Sequence, residues 1–324
     1  MRLKKRSTKS LLLATSKKKN IKKTKTKTKT KTKISKNKNI SHKKNKIIST
    51  RLKNRPLKSI KFIGISLGGG KSDRTAITIL EYYIEQQKLI VNSVFDRLKT
   101  EGEKSADLKI HEILEQYKKD TKFVAIDVPL SLPKCFRCEL KCPGYEICEE
   151  TEIKWMWKQY GQRAQKNKNH KMFTPYTQRC SETFWSEELE GGWSVGDALG
   201  SNQAPLLARG RFIQRRAQQV FIEVIPRLSL LTWAKSVKIS KIQVNSHRHS
   251  ASGMIAREYL LRHLADELDI FIYEHDRNLM AEHLVAFDSL WAALTAFWKF
   301  KKQCQLPPKD FPKTEGWIEV PQFK

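Results

Sequence analysis

The first 58 residues contain no aspartate and no glutamate, against 24 lysines and arginines. A segment with charge of one sign and almost no apolar surface cannot offset the entropy of ordering, so residues 1–58 are expected to form a disordered basic tail. The chain's formal net charge is +30, yet beyond the tail only 39 basic residues face 33 acidic ones. The high charge therefore belongs to the tail, and the body has the balance of an ordinary globular protein. Such a tail can hold nucleic acid by counterion release without a fixed structure.

Long apolar runs are also missing. Leu11, Leu12 and Leu13 are too few for a signal-peptide core, and no run approaches the ~20 apolar residues of a spanning helix. A cytoplasmic chain without membrane contact is expected. Cysteine is scarce, six in 324 residues, and four of the six fall between positions 135 and 148. That distribution argues against a secreted disulfide scaffold and favours metal binding in a reducing compartment.

From residue 59 the pattern changes. Residues 60–67 (IKFIGISL), 75–81 and 89–95 read as three strands of a meander, with Gly68-Gly69-Gly70-Lys71-Ser72-Asp73 as the first turn. The turn lacks the spacing of a phosphate-binding loop. It reads as a hairpin, with Lys71 as a point charge for phosphate. Residues 106–118 carry helical spacing at Leu108, Ile110, Ile113, Leu114 and Tyr117. In residues 123–128, Val124, Ala125 and Ile126 form a strand apolar on both faces, as inside a parallel sheet. Residues 206–219 read as a helix, 220–225 (VFIEVI) as a strand stopped by Pro226, 255–268 as a helix, 269–273 as a short strand and 283–299 as a long helix. Strands followed by alternating helix and strand imply an α/β fold with a mixed sheet. Residues from about 133 to 176, rich in cysteine, aromatics and lysine, read as an insertion.

Three acids stand in similar contexts. Asp127 ends a buried strand, Glu223 sits inside another, and Asp288 lies near the start of the long helix. A charge in a buried strand must be paired, metal-bound or at an edge. Converging carboxylates suit Mg²⁺ or Mn²⁺, hard ions that activate water. Arg179, Asn202 and Arg209 are candidate substrate contacts, since arginine forks match phosphate oxygens. His247-Arg248-His249 offers phosphate donors or a proton carrier.

Cys135, Cys138, Cys142 and Cys148 are spaced C-x2-C-x3-C-x5-C. Four thiols suit tetrahedral Zn²⁺, and Cys142-Pro143 leaves a 4Fe-4S cluster as the alternative. Trp155, Trp157 and Tyr160 beside them either stack on bases or form a small local core. Cys180 and Cys304 read as core residues.

Taken in order, FIGISLGGG, VAIDVPLSLP, FTPYTQR, ALGSNQAPLLARGRFI, FIEVIPRLSL and FDSLWAALTAF resemble a domain-of-unknown-function family described as predicted nucleases with a ribonuclease H fold. The resemblance spans about residues 61–300. It implies a ribonuclease H-like mixed sheet flanked by helices, with Asp127, Glu223 and Asp288 at its acidic positions. The first strand of such proteins usually reads G-I-D, and here Ser66 stands where that acid is expected. The last helix also has Trp291 where a further acid often follows. The implied function is a metal-dependent nuclease. The alternatives are a catalytically inactive nucleic-acid-binding protein, on account of Ser66, and an actin-like phosphotransferase.

Overall fold

A computed structural model describes residues 58–69, 74–165, 172–188 and 195–323. The expected basic tail, Lys71 and Asp73 lie outside the described residues. The first three strands are β1 (Ser59–Ser66) and β2 (Thr75–Tyr83), buried along most of their length, and β3 (Lys88–Leu98), which alternates at its start. They pair antiparallel, with Ser66 opposite Ala76 at the turn. The hairpin reading of that turn matches this register.

Helix α1 (Ala106–Tyr117) starts at Ser105, whose hydroxyl accepts from the Leu108 amide at 3.1 Å. It returns the chain to β4 (Thr121–Ile126), which lies parallel to β1. A long stretch then carries α2 (Lys134–Arg137), α3 (Thr151–Ala164), α4 (Cys180–Glu188) and α5 (Gln203–Arg216). β5 (Phe221–Val224) joins β4 in parallel and ends where Pro226 opens α6 (Pro226–Ser236). Proline suits a first helical turn because its missing N–H is unneeded there. After α7 (Lys241–Ser246) and α8 (Gly253–Leu268) come β6 (Ile270–Phe271), α9 (Glu274–Glu282), α10 (Leu284–Phe300) and β7 (Ile318–Glu319). The strand order is β6-β3-β2-β1-β4-β5-β7, a mixed seven-stranded sheet.

The sheet separates two apolar layers. On one face Phe62, Ala125, Ile222 and Val224 pack with α6, α8 and α10. On the other, Ile63, Ile65, Val124 and Ile126 pack with Ile110 and Leu114 of α1 and Ile213 of α5. Helix α10 was expected to bury one side. It is buried almost all round, because α6 covers what the sheet leaves open, with Trp233 against Trp291 and Ser229 hydrogen-bonded to Thr295.

The close seat of α10 has a definite cause. A Cβ on Gly64 would collide with the Ser289 carbonyl oxygen and the Ala293 amide nitrogen, and would stand 2.8 Å from Ala293 Cα. Glycine therefore lets the helix backbone rest on β1. Thr78 and Ser289 share a hydrogen bond of 2.7 Å at the same contact. Asp288 is thereby fixed next to the end of β1.

The stretch read as an insertion does not form a core of its own. Ile153, Trp155, Met156, Phe173 and Trp185 cluster with Leu228, Phe311, Ile318 and Val320 from the body. Trp155 is 4% exposed, and Trp157 lies among Tyr145, Tyr160 and Phe173. Trp155 is buried, and Trp157 and Tyr160 are partly buried against the same cluster. Cys180 is fully buried and Cys304 is half-buried against the α10 layer, as expected. No described helix is long and apolar enough to cross a membrane.

Candidate active site at the carboxyl ends of the central strands

β1, β4 and β5 run parallel, so their carboxyl ends open on one edge of the sheet. A cavity of about 260 Å³ lies there, and Asp127, Glu182, Glu223, Asp288, Arg227 and Arg248 are among the residues that line it. Asp127, Glu223 and Asp288, more than 60 residues apart in sequence, thus border a single space.

They do not converge equally. Ile126 pairs with Glu223 in the β4–β5 register, and Ile126 belongs to the layer packed on α1 and α5. Alternation therefore turns Glu223 toward that layer, while Asp127, one residue on, faces the α10 layer that carries Asp288. Glu223 Oε2 accepts from Arg179 Nη1 at 2.8 Å and from the Leu130 amide at 3.0 Å, and Oε1 meets Arg179 Nη2. The expectation that all three acids share one ion gives way to two groups, Asp127 with Asp288 and Glu223 with Arg179. β5 lies between β4 and β7, so Glu223 is not at an edge either, and its charge is met by pairing. Among the described residues, no three His, Cys, Asp or Glu side chains stand in ion-holding geometry.

Arg179 is 1% exposed. Its guanidinium also donates to Glu182 Oε1 at 2.8 Å and to Ser131 Oγ at 2.8 Å, and its backbone amide donates to Glu182 Oε2 at 2.6 Å. One cation between two buried carboxylates leaves the set one negative charge in excess. Burial pushes the Glu182 carboxyl upward, against the pull of Arg179. The expected substrate contact at Arg179 is thus corrected to an internal tie, because all its donors face protein groups.

Arg209 is corrected in the same way. Its fork holds Asp107 at 2.6 and 2.7 Å, the Gly68 carbonyl and Thr75 Oγ1. It staples the β1–β2 turn to the start of α1. Asn202 is exposed at the N-cap position of α5 and makes no cap bond. It does not line the cavity; its neighbour Gln203 does. His247 is wholly buried against Phe287, and burial lowers its pKa to about 4. It is neutral and turned inward, so it is not a proton carrier for the cavity.

Asp127 is held from β1. Ser66 Oγ donates to Oδ2 at 2.7 Å and the Leu67 amide donates to Oδ1 at 2.7 Å. Burial raises its pKa from 3.8 to about 7, against those two donors, and nearby Asp288 adds to the rise. Asp288, 7% exposed, is lifted by burial to about 6 even though Arg248 donates to it at 2.8 Å. Arg227 is lowered to about 10 by burial and by Arg248 beside it. The cavity therefore joins two carboxyls that resist ionising to guanidinium groups that repel one another.

Sequence reasoning passed over Glu182, Gln203 and Arg227. The i, i+3 spacing of Arg179 and Glu182 in a helix start and the arginine after Pro226 were the signals available. Gln203 gave none; its Oε1 is buried with no hydrogen-bond partner among the described residues.

The raised Asp127 fixes a sign for pH dependence. Above about pH 4 the unfolded chain ionises this group while the folded chain keeps its proton, so stability falls as pH rises toward 7. A rise from 3.8 to about 7 corresponds to ~4 kcal/mol, reduced by whatever water the cavity admits. Without divalent ions, wild-type protein should lose about 2–4 kcal/mol more than Asp127→Asn between pH 4.5 and 7.5 in urea unfolding. Parallel curves for the two proteins would refute the assignment.

A mixed α/β protein with an acid- and arginine-lined cavity at its sheet edge is the class these features define. The chain belongs to the family described as Protein of unknown function (DUF429), whose model matches residues 96–311. The match begins within β3 and so leaves Ser66 outside it. Comparison with curated proteins and with solved structures returns no match.

Proposed function

We propose that the cavity binds a phosphodiester of nucleic acid and hydrolyses it with a divalent ion, Mg²⁺ or Mn²⁺, on a ribonuclease H-like framework. The observation that carries this reading is the pair Asp127 and Asp288, two desolvated carboxyls held above the ordinary range beside Arg227 and Arg248. Burying two acids together costs several kcal/mol unless something compensates them, and a dication supplies that compensation. The order β3-β2-β1-β4-β5, antiparallel and then parallel, supports the ribonuclease H-like reading, with Asp127 at the carboxyl end of β4 and Asp288 on α10. Unpaired cysteines throughout fit a reducing, cytoplasmic setting.

Asp127 and Asp288 would hold the ion, their oxygens being the hard donors such ions prefer. When bound, it would polarise a phosphoryl oxygen and ease deprotonation of a water. Ser66 and the Leu67 amide aim the Asp127 carboxylate. Arg248 keeps Asp288 in place and, with Arg227, offers donors to phosphate oxygens at the rim. Glu223 acts at one remove, by fixing Arg179 and the Leu130 amide under the cavity floor.

A second reading, a nucleic-acid-binding protein without hydrolysis, draws on two observations. Ser66 supplies a hydroxyl where the resemblance expects a charge, and Arg248 already neutralises Asp288. Incubating the full chain with labelled single- and double-stranded DNA and RNA and Mn²⁺ separates the two. Cleavage that falls at least about 100-fold in Asp288→Asn supports hydrolysis. Binding with equal, background cleavage in both proteins supports the second reading.

A further inference from the structure

We propose that Cys135, Cys138, Cys142 and Cys148 ligate one soft metal centre that ties down the loop between α2 and α3. This proposal stands apart from the carboxylate cavity and does not depend on its chemistry. Cys135 lies in the single turn of α2, and Cys138 caps its end. Cys142 follows in irregular chain, Gly144 reverses direction at φ +98°, and Cys148 precedes α3. All four residues line one cavity of about 250 Å³. They therefore border a common space, with Cys142 the most exposed of the four.

Residues 138–150 form no regular helix or strand. Phe136, Leu140 and Ile147 are 64%, 67% and 68% exposed, while Tyr145 packs beside Trp157 and Phe173. The described ties include Trp157 Nε1 to the Tyr145 carbonyl at 2.9 Å and the Ile147 amide to the Gly144 carbonyl at 3.3 Å. A metal cross-link would add order to a segment with few apolar anchors. Cys135 and Cys148 rest against the aromatic cluster of Trp157 and Phe173, which supplies the fixed end of such a tie.

The chemistry of the donor set agrees. Four thiols bordering one space would ionise together only around a cation, and metal binding would release their protons. No three of them stand at ion-holding distances in this structure, so a shared ion would require the four thiols to come closer together. Tetrathiolate ligation serves Zn²⁺ or an iron–sulfur cluster equally in donor type.

The test uses the full chain, purified without oxygen, and measures metal per chain by mass spectrometry with an absorbance spectrum. One zinc, or about four irons with visible iron–sulfur absorbance, is expected per chain. Either should fall at least tenfold in Cys138→Ser and in Cys142→Ser, and persist in Cys304→Ser and in Asp127→Asn. Persistence in Asp127→Asn keeps this site distinct from the carboxylate cavity. Should the serine variants fail to fold, thiol titration of native wild-type protein decides. Four thiols that become reactive only after a strong chelator or oxidative loss of a cluster support the centre. Substoichiometric metal in wild type with all four thiols freely reactive or disulfide-linked overturns it, as does full metal retained in both serine variants.

Discussion

Replacing Arg179 with methionine is expected to cost about 3–5 kcal/mol of folding stability, the range for breaking a buried ion pair by removing one partner. The reason lies in what stays behind. Glu182 and Glu223 are 1% and 6% exposed, and Arg179 supplies cationic donors to both. Without it two carboxylates face each other in the interior and must take up protons to remain there. The loss should therefore be larger at pH 8 than at pH 5 in urea titrations. Converting Glu182 and Glu223 to glutamine in the same chain should recover most of it. A loss below about 1 kcal/mol, independent of pH, would mean that Arg179 is not the charge that holds this set.

Gly64→Ala should be nearly as damaging. The added methyl group would meet backbone atoms of Ser289 and Ala293, which cannot rotate away as a side chain could. Overpacking of a tight core costs about 1–3 kcal/mol and more when backbone must move, so a loss of about 3 kcal/mol or above is expected. Gly69→Ala is the matched control, because a Cβ there meets nothing within 4 Å, and it should change stability by less than about 0.5 kcal/mol. Any folded Gly64→Ala protein should carry α10 displaced from β1 and Asp288 with it, so divalent-ion affinity should drop as well. Equal unfolding midpoints for the two glycine variants would contradict the close seat of the helix.

The elements with strong patterns were legible in the sequence. β1 to β4, α1, β5 and α10 were readable from alternation, apolar runs and Pro226, and their observed ends fall within a few residues of those readings. β7 was not, because two residues carry no period and its pairing with β5 depends on a return of the chain from α10. Helices α3, α4, α6 and α9 were missed, α3 because it lies within the cysteine- and lysine-rich stretch read as an insertion. For the site, the identity of the acids was legible and their grouping was not. Asp127 and Glu223 look alike as carboxylates on buried strands, and only the register of β4 with β5 shows that they point to opposite layers. Arg179 and Arg209 looked like surface contacts because their partners, Glu223 and Asp107, lie 44 and 102 residues away. Ser66 was read as a gap in an acidic set, and the structure gives it a defined contact, the hydrogen bond that aims Asp127.

That contact leads to the most direct measurement. Cleavage rate with Mn²⁺ should be compared among wild type, Asp127→Asn, Asp288→Asn and Ser66→Asp, each as the full chain on the same nucleic acid substrates. The expected result is metal-dependent cleavage in wild type, lost in both asparagine variants, and faster in Ser66→Asp, where a second carboxylate would adjoin Asp127 Oδ2 and complete an ion site. Four proteins with the same rate, whether measurable or absent, would contradict a hydrolytic role for the Asp127–Asp288 pair.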